Sequence, residues 1–214
     1  MTFTRCKGLG ETDHEFYNSG GKYRTRENGV KLKSCQLWEN IKNRTNYLPK
    51  VDEVRFGMYT DTYACDEWLD YQKFTAWFEE VKELGYYQEG YQLDKDILVK
   101  GNKVYSPETC VFLPEEVNKA LNTKTRCRGY GGLPVGLSYN GSKSNYNCIT
   151  VAYVCKNKQF GIRIYISPEE IEYGFSVYKR AREDYIHYLA ELYKNQLDPR
   201  AYKALSEYEV SIDD

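Results

Sequence analysis

One short segment of the chain holds side chains that could assemble a metal-dependent catalytic site. Asp94 and Lys95 are adjacent, and Asn102 follows a few residues later. Carboxylate and amide oxygens are ligands for Mg²⁺ or Mn²⁺, and metal-assisted hydrolysis also needs a base that takes a proton from water. Lysine, with a usual pKa of about 10.4, is a poor base near neutral pH. The two histidines, His14 and His187, are distant in the sequence, so these residue types alone do not establish a catalytic site.

The stretch from Asn118 to Ile166 contains no aspartate and no glutamate, although 31 of the 214 residues are acidic. Its eight basic residues are Lys119, Lys124, Arg126, Arg128, Lys143, Lys156, Lys158 and Arg163. The whole chain has a formal net charge of -1, so positive charge is concentrated here. Phosphate backbones respond to local positive potential, and the segregation therefore predicts a nucleic-acid partner. The alternative is a chance distribution of the acids.

The composition is typical of a globular protein without a membrane span. With 41% hydrophobic and 29% charged residues, the chain can form one large domain or two small ones. No apolar run approaches the roughly 18 residues that cross a bilayer, and the first residues do not predict a signal peptide. The seven cysteines form no Cys-x-x-Cys pair, so we expect reduced thiols in a cytoplasm. The 22 tyrosines suit either a protein interface or the edge of a core.

The first half of the chain predicts helices followed by a strand-turn-strand segment. Hydrophobic residues at helical spacing indicate helices at about 31–44 and 70–84. The strands are expected at 93–98 and 101–105, around a Gly-Asn turn. The sequence Ser106-Pro107-Glu108 then predicts the start of a short helix, with serine as N-cap and proline at the first position. The three tryptophans predict a small aromatic core; they are Trp38, Trp68 and Trp77.

The second half predicts three strands and one long helix. The strands are expected at about 135–139, 146–154 and 159–166, and apolar residues alternate with polar ones in the third. Ser167 and Glu170 form a capping box that opens the long helix. A short helix and an acidic tail follow Asp198-Pro199. The apolar stripe expected to cover the sheet comprises Ile171, Phe175, Tyr178, Tyr185, Leu189 and Leu192.

This arrangement leaves one face of the sheet open. Arg163 and Tyr165 are expected on that face, because Ile162 and Ile164 alternate with them toward the helix. A basic sheet face can enter a major groove, where arginines read guanine edges and lysines hold phosphates. The candidate DNA-binding residues are Arg126, Arg128, Lys143, Lys156, Lys158, Arg163 and Tyr165. The alternative is an ordinary solvated sheet face.

About residues 130–190 resemble the APETALA-type (ethylene-response-factor) DNA-binding domains. The matching residues are Val135-Gly136, Lys143, Tyr146, Phe160-Gly161, Ser167-Pro168-Glu169-Glu170, Tyr178 and Ala181. The family's usual tryptophan is replaced by Tyr146, and Ile171 stands where its helix carries a small residue. The resemblance implies a three-stranded sheet that binds the major groove of duplex DNA.

The first half resembles the bacteriophage proteins labelled HNH endonucleases, which often carry an APETALA-type domain at the C-terminus. The residues that carry this likeness are Leu37-Trp38, Ile41, Arg44, Cys65-Asp66-Glu67-Trp68, Tyr71, Phe74, Trp77, Leu93-Asp94-Lys95-Asp96-Ile97, Gly101-Asn102 and Tyr105-Ser106-Pro107-Glu108-Thr109-Cys110. The resemblance implies a strand-turn-strand-helix site around one divalent metal, with Asp94 as its carboxylate and Asn102 near the metal. In this chain Lys95 occupies the position of the family's histidine base.

Three interpretations of Asp94, Lys95 and Asp96 follow from this departure. They form a working nuclease site that uses Mg²⁺ or Mn²⁺, or a scaffold that has lost catalysis and keeps Lys95 as a phosphate contact, or a structural turn with surface charges. The lysine disfavours the first.

The sequence as a whole predicts an α+β protein of phage type that binds duplex DNA in the host cell cytoplasm. An N-terminal HNH-like ββα module with helices would precede a C-terminal three-stranded antiparallel sheet packed on one long helix. The function expected is that of a homing-endonuclease relative, catalytically degenerate. The alternative is a host-takeover protein that binds and inhibits a host protein. The predicted segments are an irregular arm (1–30), the HNH-like module (31–121), a linker (122–132), the APETALA-type module (133–197) and an acidic tail (198–214).

Overall fold

The computed structural model of the protein describes residues 15–47, 57–122, 132–139 and 148–212. The chain divides into two compact units, Met1–Leu113 and Pro114–Asp214. Both helices and strands are present, which confirms the expected α+β class. None of the helices in the described ranges is long and apolar enough to span a membrane.

Two helices and an aromatic core form the body of the first unit, as expected from the spacing of its apolar residues. Helix α1 covers Lys33–Lys42 and α2 covers Tyr71–Glu83. Asp70 caps α2 by accepting a hydrogen bond from the backbone N–H of Gln72 at 3.1 Å. The Trp38 indole donates to the carbonyl of Trp68 at 2.8 Å, which ties α1 to the segment before α2. The predicted helices and the aromatic core are therefore confirmed.

The described part of the segment expected to be an irregular arm begins at Glu15, and residues 1–14 lie outside the described ranges. Phe16 is buried, and the N–H of Tyr17 donates to the carbonyl of Leu69 at 2.9 Å. A short antiparallel hairpin follows, with β1 at Arg26–Glu27 and β2 at Val30–Lys31. These contacts make 15–31 a docked part of the first unit.

Four short strands of the first unit pair differently from the expected strand-turn-strand. These strands are β3 (Tyr63–Ala64), β4 (Gln92–Asp94), β5 (Val104–Tyr105) and β6 (Val111–Leu113). Strand β4 pairs antiparallel with β6, and β3 pairs parallel with β5. The two strands that flank the Gly-Asn turn thus belong to different sheets.

The prediction of a helix that begins at Ser106 is wrong. The carbonyl of Ser106 accepts the N–H groups of Thr109 at 3.3 Å and Cys110 at 2.9 Å, which closes a single turn. All three residues of β6 are buried, and the strand pairs with β4. A short continuous apolar run of this kind is typical of a buried strand. The next helix, α3 (Glu115–Leu121), starts only after Pro114 and belongs to the second unit.

The second unit is a three-stranded antiparallel sheet in the order β7-β8-β9, covered on one face by a long helix. The strands are β7 (Leu137–Tyr139), β8 (Ile149–Tyr153) and β9 (Ile162–Ile166). Helix α4 covers Ile171–Tyr193 and follows a 3-10 turn with the expected capping box. The Glu170 carboxylate accepts from the N–H and the hydroxyl of Ser167, both at 3.0 Å. The predicted sheet and long helix are confirmed.

The stripe of α4 that faces the sheet differs in part from the expected one. Tyr178, Tyr185 and Leu189 are buried and Ile171 and Phe175 are half-buried, but Leu192 is 52% exposed. Gly174 lies at a close approach of helix and sheet. A Cβ at this position would lie 2.4 Å from Cδ1 of Ile166 and 2.9 Å from Cγ2 of Val151, so a larger residue would require these side chains to shift.

The C-terminal segment expected to be an acidic tail is packed into the second unit as far as Val210. Helix α5 (Pro199–Ser206) is capped by Asp198, and its Leu205 is fully buried. Val210 is also buried, and its carbonyl accepts a hydrogen bond from Nζ of Lys179 at 2.9 Å. The segment is therefore part of the fold that supports α4.

Candidate nucleic-acid interface

The face of the β7-β8-β9 sheet that points away from α4 is the candidate nucleic-acid interface. In β8 and β9, alternate residues face α4, and Ile149, Val151 and Tyr153 are buried against it. The register pairs Arg163 with Ala152 and Tyr165 with Thr150. Paired residues of antiparallel strands share a face, so these four side chains lie together on the open side. The expected orientation of Arg163 and Tyr165 is confirmed.

Arg163 and Tyr165 are both exposed, and 61% of Tyr165 is accessible to solvent. They are two residues apart on one strand, which separates their Cα atoms by about 7 Å. Among the described residues, no carboxylate forms a salt bridge with Arg163. The N–H donors of the Arg163 guanidinium are therefore available to a ligand. The neighbouring Tyr165 ring can stack on that ligand.

Two of the other predicted DNA-binding residues, Lys156 and Lys158, lie within the described ranges, and both are outside the three strands. Lys156 follows β8, and its Nζ lies 3.6 Å from Oε2 of Glu116, on the side of the sheet that faces the helices. Lys158 is exposed in the loop between β8 and β9. The remaining three predicted residues, Arg126, Arg128 and Lys143, lie outside the described ranges.

The sequence reasoning missed two small polar residues of the open face. Thr150 lies between Ser138 and Tyr165 in one row across the three strands. Hydroxyl groups beside an arginine and a tyrosine add donors and acceptors for phosphates and base edges. The alternation in β8 could have revealed Thr150, because its buried neighbours, Ile149 and Val151, are both β-branched and apolar.

The structure brings Asp94, Lys95 and Asn102 together in a hydrogen-bonded turn of the first unit. Oδ1 of Asp94 accepts the backbone N–H groups of Asp96 at 2.9 Å and Ile97 at 2.8 Å. Nζ of Lys95 donates at 2.6 Å to Oδ1 of Asp96 and at 2.6 Å to the carbonyl of Asn102. The Asn102 amide donates to the carbonyl of Lys95 at 2.7 Å. We refer to residues 94–102 joined in this way as the Asp94 turn.

This donor set does not fit a catalytic metal ion. The side-chain oxygen of Asn102 already accepts the N–H of Val104 at 3.0 Å, and one oxygen of Asp94 already accepts two N–H groups. The ammonium of Lys95 is buried within the same turn and would repel a divalent cation. Across the described ranges, no group of three or more His, Cys, Asp or Glu residues has a metal-binding arrangement.

Burial raises the pKa of the Asp94 carboxyl above its usual value, although the N–H groups of Ile97 and Asp96 act in the opposite direction. A raised pKa in the folded state means that the protonated form is favoured by folding. The stability that the protonated Asp94 carboxyl contributes is present at low pH and is lost as the pH rises through the pKa of the folded state.

Asp94→Asn is expected to leave the first unit at least as stable as the wild type at neutral pH. The asparagine oxygen still accepts the two N–H groups and carries no buried charge. Asp94→Ala removes the acceptor and should cost about 1–3 kcal/mol. Urea unfolding of both variants at several pH values tests this, and the advantage of Asp94→Asn should shrink as the pH falls toward about 4. Equal losses in both variants would show that the carboxylate charge is needed.

Comparisons of the chain with protein-family models, curated protein sequences and solved structures return no match. The likeness to HNH endonucleases and APETALA-type domains thus stays an expectation from local motifs. The arrangement of strands and side chains carries the functional conclusions.

Proposed function

We propose that the protein binds duplex DNA through the open face of the β7-β8-β9 sheet. The observation that carries this proposal is the exposed pair Arg163 and Tyr165 on a sheet face whose strands contain no acidic residue. The acid-free stretch 118–166 includes all three strands, and the one charged side chain in these strands, that of Arg163, is positive. An anionic, grooved partner suits such a surface.

The geometry of the sheet supports contact with the major groove. A narrow antiparallel sheet fits in a groove about 12 Å wide, and an arginine on its face can donate two hydrogen bonds to the O6 and N7 atoms of guanine. Tyr165 can contact the sugar-phosphate backbone through its hydroxyl or pack against a thymine methyl group. Ser138 and Thr150 lie in the same row as Tyr165 and can donate to phosphate oxygens.

In this proposal the first unit contributes no metal-dependent cleavage. The hydrogen bonds of the Asp94 turn favour the structural interpretation of Asp94, Lys95 and Asp96 over the nuclease interpretation. Both hydrogen-bond partners of Lys95 are internal to the turn, which also leaves little capacity for a phosphate. Under this view the likeness to HNH endonucleases reflects a scaffold whose catalytic chemistry has been lost.

Arg163→Ala is expected to weaken duplex binding by the full-length protein by about 1–3 kcal/mol, because a bidentate contact to a guanine edge is lost. Fluorescence anisotropy with labelled duplexes measures the change. The unfolding free energy should stay within about 0.5 kcal/mol of the wild type, since the side chain is exposed. Binding by the wild type should weaken steeply as the salt concentration rises.

Arg180→Ala is the matched control. Arg180 lies on α4 with a side chain that is 85% exposed, so the variant loses the same charge at a distance from the open face. Its binding should change by much less than that of Arg163→Ala. Equal weakening by both variants would show that only the loss of net charge matters. Absence of binding to duplex DNA at low salt would refute the proposal. Binding that is insensitive to salt would favour a protein partner.

A further inference from the structure

The central strand of the open face, β8, carries only small side chains on that face. Thr150 and Ala152 alternate with the buried residues of the strand, and both are half-buried. The large side chains of the face, Arg163 and Tyr165, are exposed on the neighbouring strand β9. On the other side of β8, the strand β7 contributes Ser138. A ligand can therefore approach the centre of the sheet closely, while Arg163 and Tyr165 contact it from one side.

The register of the sheet places Ala152 beside the arginine. Ala152 pairs with Arg163, and Thr150 pairs with Tyr165. Paired residues of antiparallel strands have Cβ atoms about 4.5–5.5 Å apart. Thr150 and Ala152 are two residues apart on one strand, which separates their Cα atoms by about 7 Å. Successive base pairs are only about 3.4 Å apart. When Arg163 contacts a guanine edge, Ala152 is therefore in reach of a neighbouring base pair.

The neighbour of Ala152 on the β7 side is a glycine. The backbone N–H of Ala152 donates to the carbonyl of Gly136 at 3.0 Å, directly before β7. Glycine adds no side chain that would cover the methyl group of Ala152. The Ala152 methyl group is thus bordered by the arginine on one side and by bare backbone on the other.

The residue types of β8 favour a methyl contact over a hydrogen bond to a base edge. Arginine, lysine, asparagine, glutamine and acidic side chains read bases by hydrogen bonds, and β8 has none of them. The side chain of Ala152 has no donor or acceptor. Its one base-specific contact in the major groove is therefore with the 5-methyl group of a pyrimidine. The side chain of Thr150 offers a methyl group for the same contact, beside its hydroxyl.

We propose that Ala152, together with the methyl group of Thr150, recognises a pyrimidine that carries a 5-methyl group next to the guanine contacted by Arg163. Thymine carries this group, and so does 5-methylcytosine. The inference rests on the proposed binding of duplex DNA by the open face and adds a base preference to it. The hydrogen bonds of Arg163 select guanine, and the two small residues remove the pyrimidine methyl group from water.

Fluorescence anisotropy of the full-length protein with two duplexes tests this preference. In the first duplex, a strand of alternating thymine and guanine pairs with alternating adenine and cytosine, so every thymine neighbours a guanine. In the second, uracil replaces thymine, which removes the 5-methyl group and keeps the hydrogen-bonding groups. The uracil duplex should bind about fourfold more weakly, the factor that corresponds to one buried methyl group.

A second pair of duplexes distinguishes the two sources of the methyl group. Both have alternating cytosine and guanine, and one of them carries 5-methylcytosine in place of cytosine. Tighter binding of the methylated duplex, again by about fourfold, would show that 5-methylcytosine is recognised. A preference confined to the thymine pair would identify thymine as the ligand.

Three variants locate the contact through the ratio of the affinities for the thymine and uracil duplexes. Ala152→Gly removes the methyl group beside Arg163, so the ratio should fall from about four to about one. Thr150→Ser removes only the threonine methyl group and should lower the ratio. Thr150→Val keeps a methyl group at that place and should retain it. The ratio compares two ligands of one protein, so a smaller folded fraction of a variant does not change it.

Arg180→Ala is the control and should keep the wild-type ratio, because Arg180 lies on α4, away from the open face. Equal affinity of the wild type within both pairs of duplexes would overturn the inference and leave the duplex-binding proposal standing. A ratio that is unchanged in both Ala152→Gly and Thr150→Ser would also overturn it, since the methyl contact would then lie elsewhere. Absence of binding to all four duplexes would refute duplex binding itself, and this inference with it.

Discussion

Gly136→Ala is expected to destabilise the second unit by about 2–5 kcal/mol. Gly136 has a φ of +82°, where an L-residue costs about 1–2 kcal/mol. A Cβ there would lie 2.1 Å from Cδ2 of Tyr178. Tyr178 cannot move away easily, because it is 1% exposed and packs against Tyr153. Overpacking of a closed core adds about 1–3 kcal/mol, and urea unfolding measures the sum.

Gly161→Ala serves as the control for this variant. Gly161 precedes β9, and a Cβ there would have its nearest neighbours at 3.6 Å, an ordinary contact distance. The loss should stay within about 0.5 kcal/mol. If Gly136→Ala lost as little unfolding free energy as Gly161→Ala, Tyr178 would not pack closely on the turn before β7.

Arg182→Ala is expected to cost the second unit about 3 kcal/mol or more. Arg182 is 4% exposed, and its Nη2 donates at 2.9 Å to the carbonyl of Leu121, at the end of α3. Its Nη1 lies 3.4 Å from the hydroxyl of Tyr178, and its guanidinium lies over the ring of Tyr208 at 5.8 Å. Alanine would leave a cavity and remove the hydrogen bond to the partly buried carbonyl of Leu121. Thermal or urea unfolding of the full-length variant tests the loss.

Arg182→Met separates packing from hydrogen bonding. Methionine fills much of the same space and removes a buried charge that has no carboxylate in salt-bridge distance among the described residues. Replacement of buried charges by apolar groups of similar volume is often neutral. We therefore expect a loss clearly smaller than that of alanine. Equal losses would show that the hydrogen bond to Leu121 dominates.

Local sequence patterns predicted the helices and strands in which apolar residues recur at a regular spacing. Period-two alternation in 159–166 located β9 and the outward direction of Arg163, and the capping box at Ser167 located the start of α4. Each of these features depends on neighbours in the sequence. Long-range pairing did not follow from such patterns, because β4 joins β6 and β5 joins β3 through contacts between distant residues.

The buried polar groups were the least predictable part of the candidate sites. Arg182 occupies a position of α4 that an apolar stripe would reserve for a hydrophobic residue, and only the fold places Leu121 beside it. Glu116 likewise meets Tyr185 across 69 residues of sequence. Part of the tyrosine content serves cores rather than an interface, since six tyrosines of the described ranges are buried: Tyr71, Tyr91, Tyr105, Tyr153, Tyr178 and Tyr185.

All three tryptophans, Trp38, Trp68 and Trp77, belong to the first unit, and the second unit has none. Fluorescence excited selectively from tryptophan therefore reports on the first unit. Far-UV circular dichroism also includes the helix α4 of the second unit. Trp68 is 1% exposed, so its emission should shift to the red when that core opens. A single denaturant titration read by both signals would thus show whether the two units melt together or in separate steps.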